Sequence, residues 1–122
     1  MNPRYVKAHN NLGNALLDAG RLVEATEHFR RAVQLAPDYE PAHNNLAVAL
    51  AWASKWPQAR AECERSLQLV PDSAVTHTNL GMILVRLGEE PEAIAHFRRA
   101  LQLKPDYVVA INNLKRLGIG QF

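Results

Sequence analysis

The chain has 122 residues, of which 48% are hydrophobic, and its 14 basic and 12 acidic residues leave a formal net charge of +2. The charges are scattered, so no basic stripe or acidic tail indicates nucleic acid as a partner. No stretch approaches the roughly 20 apolar residues that cross a bilayer, and no apolar leader segment opens the chain. We therefore expect a cytoplasmic protein with no membrane partner, and the single cysteine, Cys63, excludes an internal disulfide.

A 34-residue sequence pattern occurs three times in succession, and a partial fourth copy follows. The copies share a histidine, an Asn-Leu pair and a Pro-Asp pair at fixed places. A repeat of this length is typical of solenoids, in which each helical unit buries its apolar flanks against its neighbours. The predicted organisation is the tail of a preceding repeat, three complete repeats, a capping helix and a C-terminal tail, at residues 1–5, 6–39, 40–73, 74–107, 108–117 and 118–122.

Each repeat is predicted to form two amphipathic helices. In the first repeat, Ala8, Leu12 and Ala15 recur at helical spacing and predict one buried face. Asn10 falls on the opposite, polar face of the same predicted helix. Gly20 interrupts the pattern, and a second apolar stripe follows and ends before a proline. The unit is therefore a helical hairpin.

Prolines and aspartates mark the helix boundaries. Proline is tolerated in the first turn of a helix, and three prolines stand where such a turn is predicted. An aspartate just before the next first helix is predicted to cap that helix with its side chain. The prolines are Pro41, Pro57 and Pro91, and the aspartates are Asp38, Asp72 and Asp106.

Eight positions at fixed spacing along the repeat resemble the signature of the tetratricopeptide repeat (TPR). The residues that carry the resemblance in the first copy are Leu12, Gly13, Leu16, Gly20, Ala25, Phe29, Ala32 and Pro37. The resemblance covers nearly the whole chain and implies an all-α fold, an α-solenoid of three tandem TPR hairpins plus a C-terminal capping helix.

The middle repeat departs most from this pattern. Ala47 and Ser54 stand where glycine is expected, Cys63 replaces a large aromatic residue and Ser66 replaces a small apolar one. The missing aromatic ring predicts a void that costs ~2 to 5 kcal/mol unless a neighbour fills it, and Trp56 is a plausible filler.

An asparagine recurs at one place in all four copies, as Asn11, Asn45, Asn79 and Asn113. Stacking should align these side chains in a ladder, and an asparagine amide matches the donor and acceptor of a peptide unit. Alternatively, the asparagines bond within or between helices and tie one hairpin to the next. The ladder is similar to that of the TPR superhelix of O-linked N-acetylglucosamine transferases, which holds extended polypeptides. The resemblance implies peptide recognition and no catalytic activity.

Apolar residues are expected to complete a peptide-binding face on the first helices. Trp52 lies on the polar arc of its helix, so it is either an exposed anchor for a ligand or a lid packed on the neighbouring helix. The predicted peptide-binding residues are Asn10, Asn11, Asn14, Asn44, Asn45, Asn79, Asn113, Leu17, Val48, Trp52 and Met82.

A second family resemblance bears on the kind of peptide. TPR domains that bind chaperones grip a C-terminal carboxylate with lysine and arginine beside two asparagines. Asn14 and Asn45 match two places of that clamp, but Asn10, Val75 and Asn79 stand where the cations belong. The resemblance therefore disfavours a chaperone C-terminus as the ligand.

No metal, cofactor or catalytic residue is predicted. Equivalent residues on stacked helices lie about 8 to 10 Å apart, so His9, His43 and His77 are too distant to share a metal and should pack between helices. His28 and His96 are expected to face solvent. The chain has no glycine-rich phosphate loop, nucleophile elbow or paired carboxylates, so we expect no enzyme and an inert buried cysteine.

The sequence thus predicts a non-catalytic module that binds an extended peptide of a protein partner in its concave groove. The alternative is a structural scaffold, or an excised part of a larger TPR protein. In that case exposed terminal helices would associate into a homo-oligomer, since residues 108–122 are apolar for a terminal cover.

Overall fold

The computed structural model describes residues 3–120, with side chains from residue 4 onward. These residues form seven α-helices and no β-strand: α1 (Pro3–Asp18), α2 (Leu22–Leu35), α3 (Glu40–Trp52), α4 (Trp56–Leu69), α5 (Ala74–Arg86), α6 (Glu90–Leu103) and α7 (Val108–Arg116). The predicted all-α fold is confirmed for this part of the chain. None of these helices combines the length and apolarity that a membrane span requires.

The helices stack as hairpins in two layers. Each first helix (α1, α3 and α5) packs against the second helix that follows it, and each second helix packs against the next first helix. The first helices and α7 also contact one another in succession, whereas α2, α4 and α6 make no such contact within the described residues. The layer of first helices is therefore more closely spaced, so it lines the concave side of an α-solenoid.

The observed helix starts confirm the predicted positions of the prolines but not the predicted aspartate caps. Proline occupies the first turn of α3, α4 and α6, as predicted. The predicted aspartate caps are wrong, because the N-cap residues of α3, α5 and α7 are Tyr39, Ser73 and Tyr107, each one residue beyond an aspartate. Of these three, only Ser73 caps with its side chain, whose hydroxyl accepts a hydrogen bond from the Thr76 amide at 3.2 Å.

The turn inside each hairpin needs a left-handed residue. Gly20 and Gly88 have φ of 77° and 78°, where glycine meets no steric penalty. Ser54 occupies the same place in the middle hairpin with φ of 58°, and it is the one described non-glycine residue with positive φ. The middle turn therefore keeps the backbone shape of its neighbours at a steric cost.

The buried face of α1 differs from the predicted one. Leu12 is 45% exposed, and Ala8 and Ala15 are also exposed, whereas Asn10 is 5% exposed and buried. The equivalent residues of α3 and α5 are buried because the second helix of the preceding hairpin covers them. Within residues 3–120 no hairpin precedes α1, so the apolar stripe that the sequence predicts to be buried stays open.

The ends of the described chain also differ from expectation. Residues 3–5 resemble the linker at residues 37–39, which predicts the tail of a preceding repeat, but they form the first turn of α1. Pro3 suits that position because the first turn of a helix requires no amide hydrogen from it. Residues 118–120 leave α7 without regular structure, and residues 121–122 lie outside the described part.

The irregular residues of the middle repeat are buried in the same core as their neighbours. Cys63 is 0% exposed, and burial raises the pKa of its thiol to about 12, which makes it inert. Trp56 is half-buried and packs against the same cluster. The hydroxyl of Ser66 donates to the carboxylate of Glu40 at 2.8 Å, so the polar atom that replaces an apolar one is satisfied.

Candidate functional site

A groove of about 680 Å³ opens on the concave side, where α3, α5 and α7 meet the start of α4. Its size is within the range of ligand-binding clefts. The groove takes more than half of its lining from apolar side chains, which are Val48, Ala51, Trp52, Trp56, Met82, Ile83, Val85 and Leu117. The remaining lining residues are two asparagines, Asn79 and Asn113, and two arginines, Arg86 and Arg116.

Three of the apolar side chains are presented to solvent. Trp52 is 61% exposed, so it is not a lid on the neighbouring helix. Met82 and Val85 are 38% and 37% exposed and lie in the same groove. Large exposed apolar side chains in a groove that also carries polar groups are typical of sites that bind another polypeptide.

The two arginines give the groove a positive charge that no lining carboxylate balances. The guanidinium carbon of Arg86 lies 5.5 Å from the centre of the Trp56 ring, which is a cation–π distance. Neither Arg86 nor Arg116 makes an ion pair with an acidic residue in the part of the chain that the structure describes. Their charges are therefore free to meet a ligand.

The asparagine ladder links neighbouring first helices. The amide nitrogen of Asn45 donates to the side-chain oxygen of Asn10 at 2.9 Å. The amide nitrogen of Asn79 donates to the side-chain oxygen of Asn44 at 3.3 Å in the same way. The ladder asparagine of one hairpin thus bonds to the residue before the ladder position in the preceding hairpin, so these side chains help to set the stacking.

The third link of this series is missing. Thr78 takes the place that Asn10 and Asn44 hold in the first two hairpins, and its buried hydroxyl has no hydrogen-bond partner among residues 3–120. Asn113 instead donates to the main-chain oxygen of Val109 in its own helix at 2.8 Å. The last rung of the ladder is therefore uncoupled from α5.

The predicted binding residues fall into two groups. Val48, Trp52, Asn79, Met82 and Asn113 are brought together in the groove. The others do not line it. Asn10 and Leu17 are buried, Asn14, Asn44 and Asn45 are half-buried, and Asn11 is exposed on α1.

Seven residues of the groove lie outside the predicted binding set: Ala51, Trp56, Ile83, Val85, Arg86, Arg116 and Leu117. The sequence pattern assigns Trp56 to filling the core, and Arg116 and Leu117 to the capping helix. The available signal was positional, because Trp52 and Arg86 hold the same place in successive repeats. This signal could not show that α7 approaches α5 and closes one side of the groove.

In the first and third hairpins a histidine of the first helix pairs with a histidine of the second helix. The Nδ1 atoms of His9 and His28 are 3.0 Å apart, and those of His77 and His96 are also 3.0 Å apart. The expectation that His28 and His96 face solvent is therefore wrong, because both are half-buried in these pairs. Among the described residues no three metal-binding side chains cluster together.

One histidine pair has a defined proton arrangement. His77 Nε2 lies 2.9 Å from the main-chain oxygen of Pro71, which can only accept, so Nε2 carries the hydrogen. In the neutral pair His77 Nδ1 then accepts from His96 Nδ1. Burial lowers the pKa of His96, and the adjacent His77 lowers it further. Burial likewise lowers the pKa of His9, with smaller contributions from His28 and Arg31.

Comparison with known families agrees with this architecture. A sequence model described as tetratricopeptide repeat matches residues 38–106, and a second with the same description matches residues 6–39. The chain belongs to the tetratricopeptide repeat family. No curated protein matches this TPR chain.

Solved structures show the same TPR fold. The first TPR domain of Spaghetti (RPAP3), bound to an HSP90 peptide, superposes with a TM-score of 0.93 at 20% identity, covering 97% of this chain and 94% of that one. YrrB, a TPR protein with an unusual peptide-binding site, gives 0.85 at 20% identity, covering 90% and 57%. The Thermobaculum terrenum O-GlcNAc transferase gives 0.87 at 28% identity, covering 93% of this chain but only 22% of that enzyme.

Proposed function

We propose that this TPR protein is a non-catalytic interaction module that holds an extended peptide in the groove between α3, α5 and α7. The observation that carries the proposal is the 680 Å³ groove, in which exposed Trp52 and Met82 lie beside the amides of Asn79 and Asn113. Apolar anchors supply affinity in such sites, and side-chain amides orient the main chain of the ligand.

The structural and binding roles of the ladder are compatible. An asparagine has two donor hydrogens and an acceptor oxygen, and Asn79 uses one hydrogen to bond to Asn44. Its second hydrogen and its oxygen remain for a peptide unit. Each such bond contributes only ~0.5 to 1.5 kcal/mol, so the apolar contacts must supply most of the affinity.

The structural neighbours support peptide binding in general and not a particular peptide. The RPAP3 domain holds an HSP90 peptide and YrrB has a peptide-binding site, but both are only 20% identical to this chain. The places of the cations that would clamp a chaperone carboxylate are taken here by Asn10, Val75 and Asn79. We therefore propose a protein partner other than a chaperone C-terminus.

Selection from a random dodecapeptide library, followed by titration of synthetic binders, tests the proposal. We expect Trp52→Ala to weaken binding by about 2 kcal/mol or more, as loss of an aromatic hot spot does. Val23→Ala should leave binding unchanged, because Val23 is 74% exposed on α2 and does not line the groove.

A pair of asparagine variants separates binding from folding. Asn79→Ala and Asn45→Ala each remove one link between first helices, but only Asn79 lines the groove. We expect both to lower the melting temperature by a similar amount and only Asn79→Ala to weaken peptide binding. Unchanged binding in Trp52→Ala and Asn79→Ala together would place the ligand on another surface and contradict the proposal.

A scaffold function is the second candidate, and it is supported by the open face of α1. Leu12 is 45% exposed there, whereas its equivalents Leu46 and Leu80 are each 3% exposed. At the other end of the described chain, Val108 and Val109 are 60% and 42% exposed. Light scattering over a concentration series tests this function. A mass that rises above 13.6 kDa and returns to it in Leu12→Glu supports it, and a constant mass of 13.6 kDa excludes it.

A further inference from the structure

We propose that the preferred ligand of the groove is an acidic, apolar peptide, in which a large apolar residue stands two or three positions from a glutamate or aspartate. This inference rests on the proposed function and specifies its ligand class. The carrying observation is that Arg86 and Arg116 line the groove together with exposed Trp52, while no acidic residue lines it.

The positive charge of the groove has no internal partner. Three other arginines of the described chain, Arg21, Arg60 and Arg99, are paired with acidic residues; Arg60 bonds to Glu89 at 2.8 Å and to Glu92 at 3.2 Å. Arg86 and Arg116 make no ion pair of this kind within the described chain. An anionic group that enters the groove would complete the pairing, since charge complementarity selects the partner and fixes its register.

Arg86 contacts an aromatic side chain of the groove. Its guanidinium lies over the ring of Trp56, 5.5 Å from the ring centre. A cation–π contact consumes none of the N–H donors of the guanidinium, so these donors can still bind a carboxylate in a bidentate manner. Both arginines also lie in the last turn of their helices, where a cation meets the helix dipole favourably. This charge–dipole interaction likewise consumes no N–H donor.

The expected spacing between the apolar and the acidic residue of the peptide follows from the repeat. Trp52 and Arg86 hold equivalent places on the successive helices α3 and α5, which pack about 8 to 10 Å apart. An extended peptide advances about 3.3 Å per residue, so it covers that interval in two to three residues. An apolar side chain placed on Trp52 therefore brings the residue two or three positions away to Arg86.

The test compares selected peptides with their neutral counterparts. Binders from the dodecapeptide library are synthesised with blocked ends, each with its acidic residues intact and with glutamine in their place. We expect acidic residues to be enriched at the stated spacing and the glutamine peptides to bind about three- to tenfold more weakly, as loss of a partly exposed ion pair does.

Arginine variants locate the charge. Arg86→Gln and Arg116→Gln should each weaken the acidic peptides by about three- to tenfold and leave the glutamine peptides unchanged. Lys115→Gln is the matched control. This substitution also removes one positive charge from α7, and Lys115 does not line the groove.

The outcomes separate this inference from the proposed function. Groove binders without acidic residues, or acidic binders that Arg86→Gln and Arg116→Gln do not affect, overturn the inference and leave peptide binding standing. Failure of any peptide to bind in a Trp52-dependent manner overturns both. Displacement of a bound peptide by single-stranded RNA at equal concentration also overturns the inference, since the arginines and Trp52 would then serve phosphates and bases.

Discussion

Gly13 of α1 lies directly against the ring of Phe29 in α2, so that a Cβ atom at Gly13 would stand 2.5 Å from the ring. Gly81 has the same relationship with Phe97, at 2.6 Å. In the middle hairpin the two positions change together, because Ala47 replaces the glycine and Cys63 replaces the aromatic ring, and both are 0% exposed. The expected void beside Cys63 is therefore reduced by the methyl group that faces it.

This relationship predicts energetic coupling between Ala47 and Cys63. Cys63→Phe alone should destabilise the fold by about 1 to 3 kcal/mol through overpacking, and Ala47→Gly alone by about 1 kcal/mol through loss of helix propensity. The double variant should be more stable than the sum of the two changes by at least about 1 kcal/mol. Urea unfolding of the four proteins measures the coupling. Cys63→Phe combined with Ala95→Gly, a glycine substitution at an exposed site on α6, should be additive.

The turn at Ser54 predicts a stabilising substitution. Ser54 has φ of 58°, and glycine adopts this conformation without a steric penalty. We expect Ser54→Gly to raise the free energy of unfolding by about 0.5 to 1 kcal/mol. Gly88→Ser is the reciprocal control, since a Cβ there meets nothing within 4 Å and only the backbone penalty acts. A loss of stability in Ser54→Gly would argue against this account.

The buried hydroxyl of Thr78 predicts a second stabilising change. Thr78 and Thr76 are both 0% exposed on α5, but only the hydroxyl of Thr76 is hydrogen-bonded within residues 3–120. Thr78→Val should stabilise the protein by about 1 kcal/mol because it removes an unpaired polar group, whereas Thr76→Val should destabilise it. Thermal unfolding of the two isosteric variants gives the comparison. Equal effects in the two would show that the hydrogen bonds do not decide their stability.

The histidine pairs predict a loss of stability in acid. The pKa of His96 is lowered from 6.5, chiefly by burial, so the folded state binds this proton less readily than the unfolded state. The stabilisation is therefore present above pH 6.5 and is lost as the pH falls below it towards the lowered pKa. Besides His77, the charged groups that act on His96 are Glu92, Glu64 and Arg60.

Replacing one member of the pair tests this prediction. In the middle hairpin Glu62 takes the equivalent place and pairs with His43 at 3.0 Å, so a carboxylate fits beside the imidazole. We expect His96→Glu to reduce the decline in unfolding free energy between pH 7 and pH 5, because a protonated His77 then gains a partner. His28→Glu should act in the same way in the first hairpin. An unchanged pH profile in the double variant would assign the acid sensitivity to other groups.

The sequence predicted those features that depend on local rules. The helices follow from apolar spacing, and the prolines in the first turns follow from helix-start geometry. The sequence places the turn inside the hairpin at Gly20, and the left-handed conformation there is a finding of the structure. Sequence reasoning also found five of the groove residues, because equivalent places in a repeat share one face. It predicted the wrong buried face for α1. The same apolar stripe is buried in α3 and α5, where the preceding hairpin covers it, and exposed in α1, where no described hairpin covers it.

The amino-acid sequence by itself determined the repeat, its helical hairpins and the family, because a repeat period and the residues that favour turns can be recognised in short stretches of sequence. Only the tertiary structure decided which side chains meet. The bond from Asn45 to Asn10 joins residues 35 apart in sequence, and the histidine pairs join residues 19 apart. The groove likewise needs α7 beside α5, which brings Arg116 to the same space as Trp52. Such contacts depend on how far helices approach and how they are rotated, and no local pattern records either quantity.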